Sequence, residues 1–265
     1  MILCVVLVWS LRENMKVKLY EPFQKWYHGG TIWLIGDLHF QKDIEMEKAF
    51  GWPSAEERLD ILNKFITKND TFICLGDVGD RLDLVAKIKA GYKVLIKGNH
   101  DKGDANYKRR IMECGVCYSE QEAKDIIRKG SIHTSSIGNV KPDSYERRVC
   151  INGNEMFVFK TDNRLFDEVY EGPLFISDKI LLSHERFTVP FAVNIHGHHH
   201  CEESWMDLIL TPTIIGDVTS AAFNLASDVV EYTPMRLDKL IEKYPLKKIK
   251  SMHDITIENA RRDSE

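Results

Sequence analysis

Five short stretches of the chain carry side chains of the types that can hold divalent cations: Asp37-x-His39, Gly76-Asp77-x-x-Asp80, Gly98-Asn99-His100-Asp101, His184 and Gly197-His198-x-His200. Carboxylates, imidazoles and amide oxygens are the donors that hard and borderline divalent ions prefer. Two ions held close together need one carboxylate that reaches both and ligands that arrive from several directions, and this set supplies both. Each piece has a plainer reading alone. An isolated Asp-x-His is ordinary surface or capping chemistry, and Gly-Asp after a strand is more often a turn. Gly-Asn-His-Asp fits a turn with a satisfied histidine, and residues 196–200 alone form a weak metal-binding tract. Their joint occurrence at the ends of apolar runs argues for one site.

The elements that must position these residues follow from periodicity. Residues 31–35 form an apolar run that ends in Gly36-Asp37, and residues 71–75 form a second that ends in Gly76-Asp77. A third, 92–96, leads into Gly98-Asn99-His100-Asp101. Strands that deliver ligands beyond their carboxyl ends are the geometry of α/β sheets. Residues 55–65 show helical spacing, with Ser54 as N-cap and Glu57 three residues on. Residues 82–89 and 104–129 also read as helical. The second half is richer in strands. Residues 147–151 and 155–160 flank Asn152-Gly153-Asn154, a hairpin signal, and 175–176 and 180–182 flank Ser177-Asp178-Lys179, another. Residues 180–183 deliver His184, and 191–195 deliver the histidines at 196–200.

Composition narrows the class. The chain has 265 residues, 43% hydrophobic and 29% charged, with a net charge of −4. Backbone binding to nucleic acid wants a basic surface, so a dedicated nucleic-acid binder is not indicated. Lys247, Lys248 and Lys250 read as a solvated helix end. Six cysteines are spread thinly, unlike a secreted disulfide framework. Cys114 and Cys117 form a lone CxxC, read as buried structural thiols rather than a zinc or redox pair. Residues 2–11 are nearly all apolar but too few to span a bilayer, and they lack the flanks of a signal peptide. Met15 offers an ordinary start, so 1–14 reads as an N-terminal extension, with an extra edge strand as the competing reading. A single domain over 15–243 and a charged tail over 244–265 complete the expected organisation. No segment is apolar enough for a membrane helix, which points to the cytoplasm; the oligomeric state is not legible.

The series DxH, GDxxD, GNHD, H, GHxH from Asp37 to His200 resembles the signature of calcineurin-like metallophosphoesterases. The finer likeness is to a small bacterial and phage-type group, whose closing strand and turn resemble Phe223-Asn224-Leu225 through Tyr232-Thr233-Pro234 to Leu237. The resemblance then runs to about Leu240. One departure is local: that group often continues Asp-x-His-Phe with Gly-His, whereas Gln41-Lys42 follows here, so a helper histidine is missing or replaced by Lys42.

The resemblance implies an α/β fold, a four-layer sandwich of two mixed β-sheets flanked by helices, with hairpins over 131–160 as variable decoration that shapes the cleft. It implies a metal-dependent phosphoric ester hydrolase with two divalent ions, for which Mn²⁺, Fe²⁺ or Fe³⁺ and Zn²⁺ all suit the donors. Asp37, His39 and His200 would hold the first ion, and Asn99, His184 and His198 the second, with Asp77 between them. Two such cations, roughly 3.5–4 Å apart, share a water and lower its pKa toward neutrality, so that a bridging hydroxide attacks phosphorus in line. His100 would then protonate the leaving oxygen as general acid, oriented by Asp80 or Asp101, and Arg81 would grip the phosphate. His196 and His199 take no ligand role, and His28, His133 and His253 lie outside the pattern.

A phosphodiesterase acting on a nucleotide, cyclic nucleotide or nucleic-acid end fits the small bacterial group better, with a small phosphoester or nucleotide as the expected partner; a long nucleic acid is disfavoured by the charge. Phosphomonoesterase, nucleotidase or protein phosphatase action on the same site is the alternative. A protein phosphatase of this kind would show glycine after the Asp-Arg pair and Gly-Asn-His-Glu, where this chain has Leu82 and Asp101. A non-catalytic scaffold on this fold would be expected to have lost ligands, and none is lost here. A zinc-binding regulator built on Cys114, Cys117, Cys201 and the histidine tract leaves Asp37, Asp77 and Asn99 unexplained.

Overall fold

The computed structural model describes residues 17–27, 29–41, 45–134, 138–189, 192–200, 206–213 and 216–243. The expectations for 1–14, Met15, His28, Lys42, Cys201, His253 and the tail from 244 onward lie outside the described residues.

In chain order the strands are β1 (Ile32–Ile35), β2 (Thr71–Cys74), β3 (Tyr92–Ile96), β4 (Ile111–Cys117), β5 (Ile132–Thr134), β6 (Gly138–Val140), β7 (Ser144–Val149), β8 (Glu155–Asp162), β9 (Glu168–Tyr170), β10 (Leu174–Ser177), β11 (Ile180–Leu182), β12 (Val193–His196), β13 (Met206–Thr213), β14 (Gly216–Asn224) and β15 (Met235–Arg236). The helices are α1 (Glu45–Phe50), α2 (Ala55–Phe65), α3 (Leu82–Val85), α4 (Asp104–Tyr107), α5 (Glu120–Lys129) and α6 (Leu237–Lys243), preceded by a 3₁₀ turn at Glu21–Tyr27.

The chain forms two compact units, Met1–Asn106 with Phe166–Glu265, and Tyr107–Leu165. The first holds two five-stranded mixed sheets, as the resemblance implies. One runs β15-β1-β2-β3-β9, with β1, β2, β3 and β9 parallel and β15 antiparallel at the edge. The other runs β10-β11-β12-β14-β13, with a parallel centre and antiparallel edges. Central parallel strands are covered on both faces and so read as continuous apolar runs. Accordingly Leu34, Phe72, Ile73, Val94 and Leu95 are all fully buried. The ends of the two sheets meet where the Gly36 amide donates to the Leu225 carbonyl at 2.8 Å. No helix among the described residues is long and apolar enough to cross a membrane.

Helix α2 has the bounds that its pattern predicts. The Ser54 hydroxyl accepts from the Glu57 amide, and the Glu57 carboxylate takes the Ser54 amide at 2.9 Å, so two otherwise orphaned donors are satisfied. The helix expected over 82–89 is shorter. After Val85 the chain closes i→i+3 bonds, Lys87 to Leu84 and Ile88 to Val85, and turns toward Gly91 and β3.

The second unit corrects the helix expected over 104–129. Only α4 and α5 are helical there; β4 lies between them and pairs with β8. Gly115 has φ 152° at a register shift, and a Cβ there would press on Ile132 at 2.8 Å, so the strand bulges at a glycine. Helix α5 begins at Ser119, which caps Glu122. Cys114, Cys117, Ala123, Phe157 and Phe159 form this unit's apolar cluster. Both CxxC thiols are therefore free packing groups, and burial pushes the Cys114 thiol upward. The β7–β8 hairpin turns as expected, with Gly153 left-handed at φ 81° and the Cys150 amide donating to the Asn154 carbonyl.

Candidate metal centre

The residues singled out by type converge where the strands end. Asp37 follows β1, Asp77 follows β2, Asn99 follows β3, His184 follows β11 and His198 follows β12. The first two loops run side by side: the Asp37 amide donates to Gly76, and those of His39 and Phe40 to Asp77 and Val78, each at 2.9 Å. The Gly197 amide donates to the His184 carbonyl at 2.9 Å, which registers the other two loops.

The recurring glycines have a steric reason. A Cβ on Gly98 would collide with the Asp77 carboxylate, and one on Gly197 with that of Asp37. Each glycine leaves room for a carboxylate from another strand. The residues that carry the candidate donors are themselves strained. Asp37 (φ 55°), His39 (42°), Asp77 (52°) and His198 (70°) are all left-handed without being glycine. Such a conformation costs on the order of 1–3 kcal/mol per residue and persists only where its surroundings hold it in place.

Two donor groups result, Asp37 with His39 and His200, and Asp77 with His184 and His198; in each, the candidate atoms lie within 4.8 Å of one another. In the first, the Nε2 atoms of His39 and His200 are 3.2 Å apart, and His200 Nε2 is 3.5 Å from Asp37 Oδ1. In the second, His184 Nε2 lies 3.4 Å from Asp77 Oδ2, 3.1 Å from His198 Nδ1 and 2.8 Å from Asn99 Oδ1. Asp77 Oδ2 is also 3.9 Å from His39 Nε2, so one carboxylate faces both groups.

These donors fit cations. Asp37 Oδ1 is buried with no hydrogen-bond partner among the described residues. A buried carboxylate oxygen without a donor is costly. Pairs of imidazole nitrogens face one another with room for at most one proton between them. Positive charge placed among these donors relieves both problems. The electrostatics of the metal-free site agree. Burial pushes Asp37 up to about 7, partly offset by His184. Burial pulls His39 down to about 4, and burial with the neighbouring His184 lowers His198. For His200, burial pulls down, but the hydrogen bond to Asp228 and the nearby Asp37 outweigh it, and the net shift is upward.

Several supports were not legible in the sequence. Asp228 Oδ1 lies 2.7 Å from His200 Nδ1, which fixes the tautomer that turns Nε2 toward the donor group. His184 Nδ1 donates to the Leu75 carbonyl at 2.9 Å and does the same for the second group. Arg58 is 2% exposed; it donates to the Leu38 carbonyl at 2.8 Å and pairs with Glu47 at 2.5 Å, bracing the Asp-x-His loop from below. The one signal for Arg58 was a charge on the face of α2 that carries Ala55, Leu59 and Leu62. Asp228 and the Trp52 ring beside His39 had no signal of their own.

The remaining predicted residues fall as follows. The His100 side chain is 70% exposed, with Nε2 4.0 Å from Asp77 Oδ2. Asp101 Oδ2 accepts the amides of Asp77 and Gly98, and Oδ1 that of Val78, so its carboxylate ties the second and third loops together. Asp80 is exposed in the turn before α3. Arg81 donates to Asp83 and to Glu56, both at 2.9 Å. His196 is buried, with Nδ1 2.7 Å from the Gly197 carbonyl. The ring of His199 packs edge-on to those of His196 and His198.

Comparison with known proteins gives three findings. The sequence profile of the family described as calcineurin-like phosphoesterase matches residues 30–214. No curated protein matches the chain. Among solved structures, the chain is similar to AQ665 from Aquifex aeolicus, described as a protein of unknown function, at 18% identity and a TM-score of 0.44, covering 80% of this chain and 98% of that one.

Proposed function

The chain belongs to the calcineurin-like phosphoesterase family, whose members are metal-dependent phosphoric ester hydrolases that hold two divalent ions, and from that premise we propose that it is a phosphodiesterase acting on a small phosphoester or nucleotide. The observation that carries the reading is the shared carboxylate: Asp77 Oδ2 faces both donor groups, while Asp37 Oδ1 is buried without a hydrogen-bond partner among the described residues. When bound, two such ions would neutralise charge on the phosphoryl oxygens and lower the pKa of a bound water toward neutrality.

The chain's own residues do the rest. Asp37, His39 and His200 would hold one ion and Asn99, His184 and His198 the other, with the Asp77 carboxylate available to both. His100 gives a proton to the leaving oxygen from its exposed ring beside Asp77. Asp101 fixes the loop that carries His100, and the resemblance assigns Asp80 to orient the imidazole. Arg81 exchanges its exposed partners Asp83 and Glu56 for the phosphate; such surface pairs hold weakly. The preference for diesters rests on the resemblance to the small bacterial and phage-type group. Free thiols at Cys74, Cys114, Cys117 and Cys150 suit a cytoplasmic setting.

The test is protein reconstituted with Mn²⁺, Fe²⁺ or Zn²⁺ and assayed on phosphomonoesters, phosphodiesters and nucleotides. Metal-dependent turnover with diesters preferred is the expected result. Monoesters preferred throughout would replace the diester reading with a phosphatase, and no turnover with any metal would overturn the hydrolase.

A further inference from the structure

Beside the first donor group stands a stack of rings that the proposed chemistry does not use. Trp52 lies 5.3 Å, centroid to centroid, from His200 at an interplanar angle of 32°, and 5.9 Å from His39 at 26°. Phe50 stacks on Trp52 at 5.2 Å and 25°. The rings therefore form a ladder, with planes inclined 25–32° at each contact of Trp52, that runs from two candidate metal ligands to Phe50. Phe50 is 54% exposed, at the end of the short helix α1. An apolar ring face left in water is costly, and another flat ring laid on it removes that cost.

The ladder is anchored. The Trp52 amide donates to the Glu47 carbonyl at 2.9 Å. The Glu47 carboxylate is held by buried Arg58, whose guanidinium also lies 5.9 Å from the Trp52 ring centroid. Arg58 grips the Leu38 and His39 carbonyls as well. The aromatic ledge and the Asp-x-His loop thus share one buried support, so the distance from donor group to ledge is fixed by packing rather than by a free side chain.

We propose that Phe50 and Trp52 form a stacking ledge for the nucleobase of a nucleoside phosphoester whose phosphate lies at the adjacent donor groups. The inference rests on the hydrolase reading above and names its substrate class. A flat ring face selects a flat partner, and in the proposed complex the phosphate lies at the donor groups with its organic substituent toward these rings. Stacking accepts any base, because each has a π face, so the ledge selects nucleosides over sugars or alkyl groups without choosing among bases.

The test uses phosphoesters that differ only by the base: adenosine 5′-monophosphate against ribose 5-phosphate, and the methyl diesters of both. Phe50→Ala should raise KM for the base-bearing member roughly ten-fold, within the range that loss of one stacking ring produces, and leave kcat and the base-free member unchanged. Phe50→Tyr should restore the wild-type value. A second measurement needs no turnover: adenosine itself should quench tryptophan fluorescence on binding, and Phe50→Ala should abolish that binding while Phe50→Tyr keeps it. Equal KM changes for both members of a pair, or adenosine binding untouched in Phe50→Ala, overturns the ledge while leaving the hydrolase in place. Adenosine binding that depends on Phe50, in a protein that hydrolyses none of the esters, supports the ledge and overturns the hydrolase.

Discussion

The two donor groups share Asp77 yet are held by different means. Around the first, the supports are side chains: Asp228 on His200, Arg58 under the Asp-x-His loop, Trp52 against both imidazoles and the Ser227 hydroxyl on the Asp37 carbonyl at 2.6 Å. Around the second, main-chain groups reach the donors directly, the Leu75 carbonyl on His184 and the His100 amide on Asp77 Oδ1, while one side chain, the Asp101 carboxylate, gathers the amides of Asp77, Val78 and Gly98. Main-chain supports are set once the strands pair. Side-chain supports can be removed one at a time, and in the first group burial also pushes the Asp37 carboxyl up to about 7. The first group should therefore be the adjustable half of the centre and the second the fixed half.

The largest effect should come from the residue that both halves share. Asp77→Asn should empty both metal positions and take hydrolysis to background, read by elemental analysis beside turnover. Full occupancy with unchanged turnover would remove Asp77 from the shared position. His100→Asn belongs to neither half and should keep both ions while slowing the chemical step by about 10²–10⁴. That loss should shrink with good leaving groups such as nitrophenol; a uniform loss that added metal rescues would make His100 a support of the metal site.

Next come two substitutions that separate the halves. Asp228→Asn should weaken one ion by about 10–100-fold, as is usual for a lost partner of a ligating histidine, and leave the other in place. Asn99→Ala should weaken the other ion alone. Titrations in which either variant loses both ions in parallel would break the comparison. The smallest effect is with pH. A proton on Asp37 competes with the first ion, so its affinity should tighten as pH rises toward and past about 7. The metal-free protein should move the opposite way. The native carboxyl holds its proton at pH values where the unfolded one has lost it, so this group's contribution to stability is present below the unfolded value and lost as pH rises through about 7. His39, pulled down to about 4, makes the opposing contribution at lower pH, where the unfolded chain binds the extra proton. Calorimetric melting of metal-free protein on either side of neutrality checks the sign, and a melting temperature that climbs through pH 7 would contradict it.

The parts legible in the sequence are those in which local pattern and global fold agree. The apolar runs before Asp37, Asp77 and Asn99 became buried parallel strands because both faces are covered, and Ser54 with Glu57 placed the start of α2 to the residue. The failures share a cause as well. Residues 104–129 contain enough helix formers to read as one helix, yet pairing with β8 and the bulge at Gly115 turn 111–117 into a strand, and a partner some 45 residues along the chain leaves no local mark. Asp228 escaped for the same reason: 28 residues separate it from His200, and only the folded chain brings them to 2.7 Å.

The four left-handed backbones at Asp37, His39, Asp77 and His198 bear on how this protein can be altered. Each is a place where glycine would be at ease and the native residue is not. Sequence drift toward a more stable chain therefore runs directly against the donors, since the substitutions that relax the backbone delete an acid or an imidazole. A variant selected only for thermal tolerance should accumulate its gains elsewhere, in the second unit or on outer helix faces, for as long as hydrolysis is also selected. Released from that requirement, it should lose these residues first.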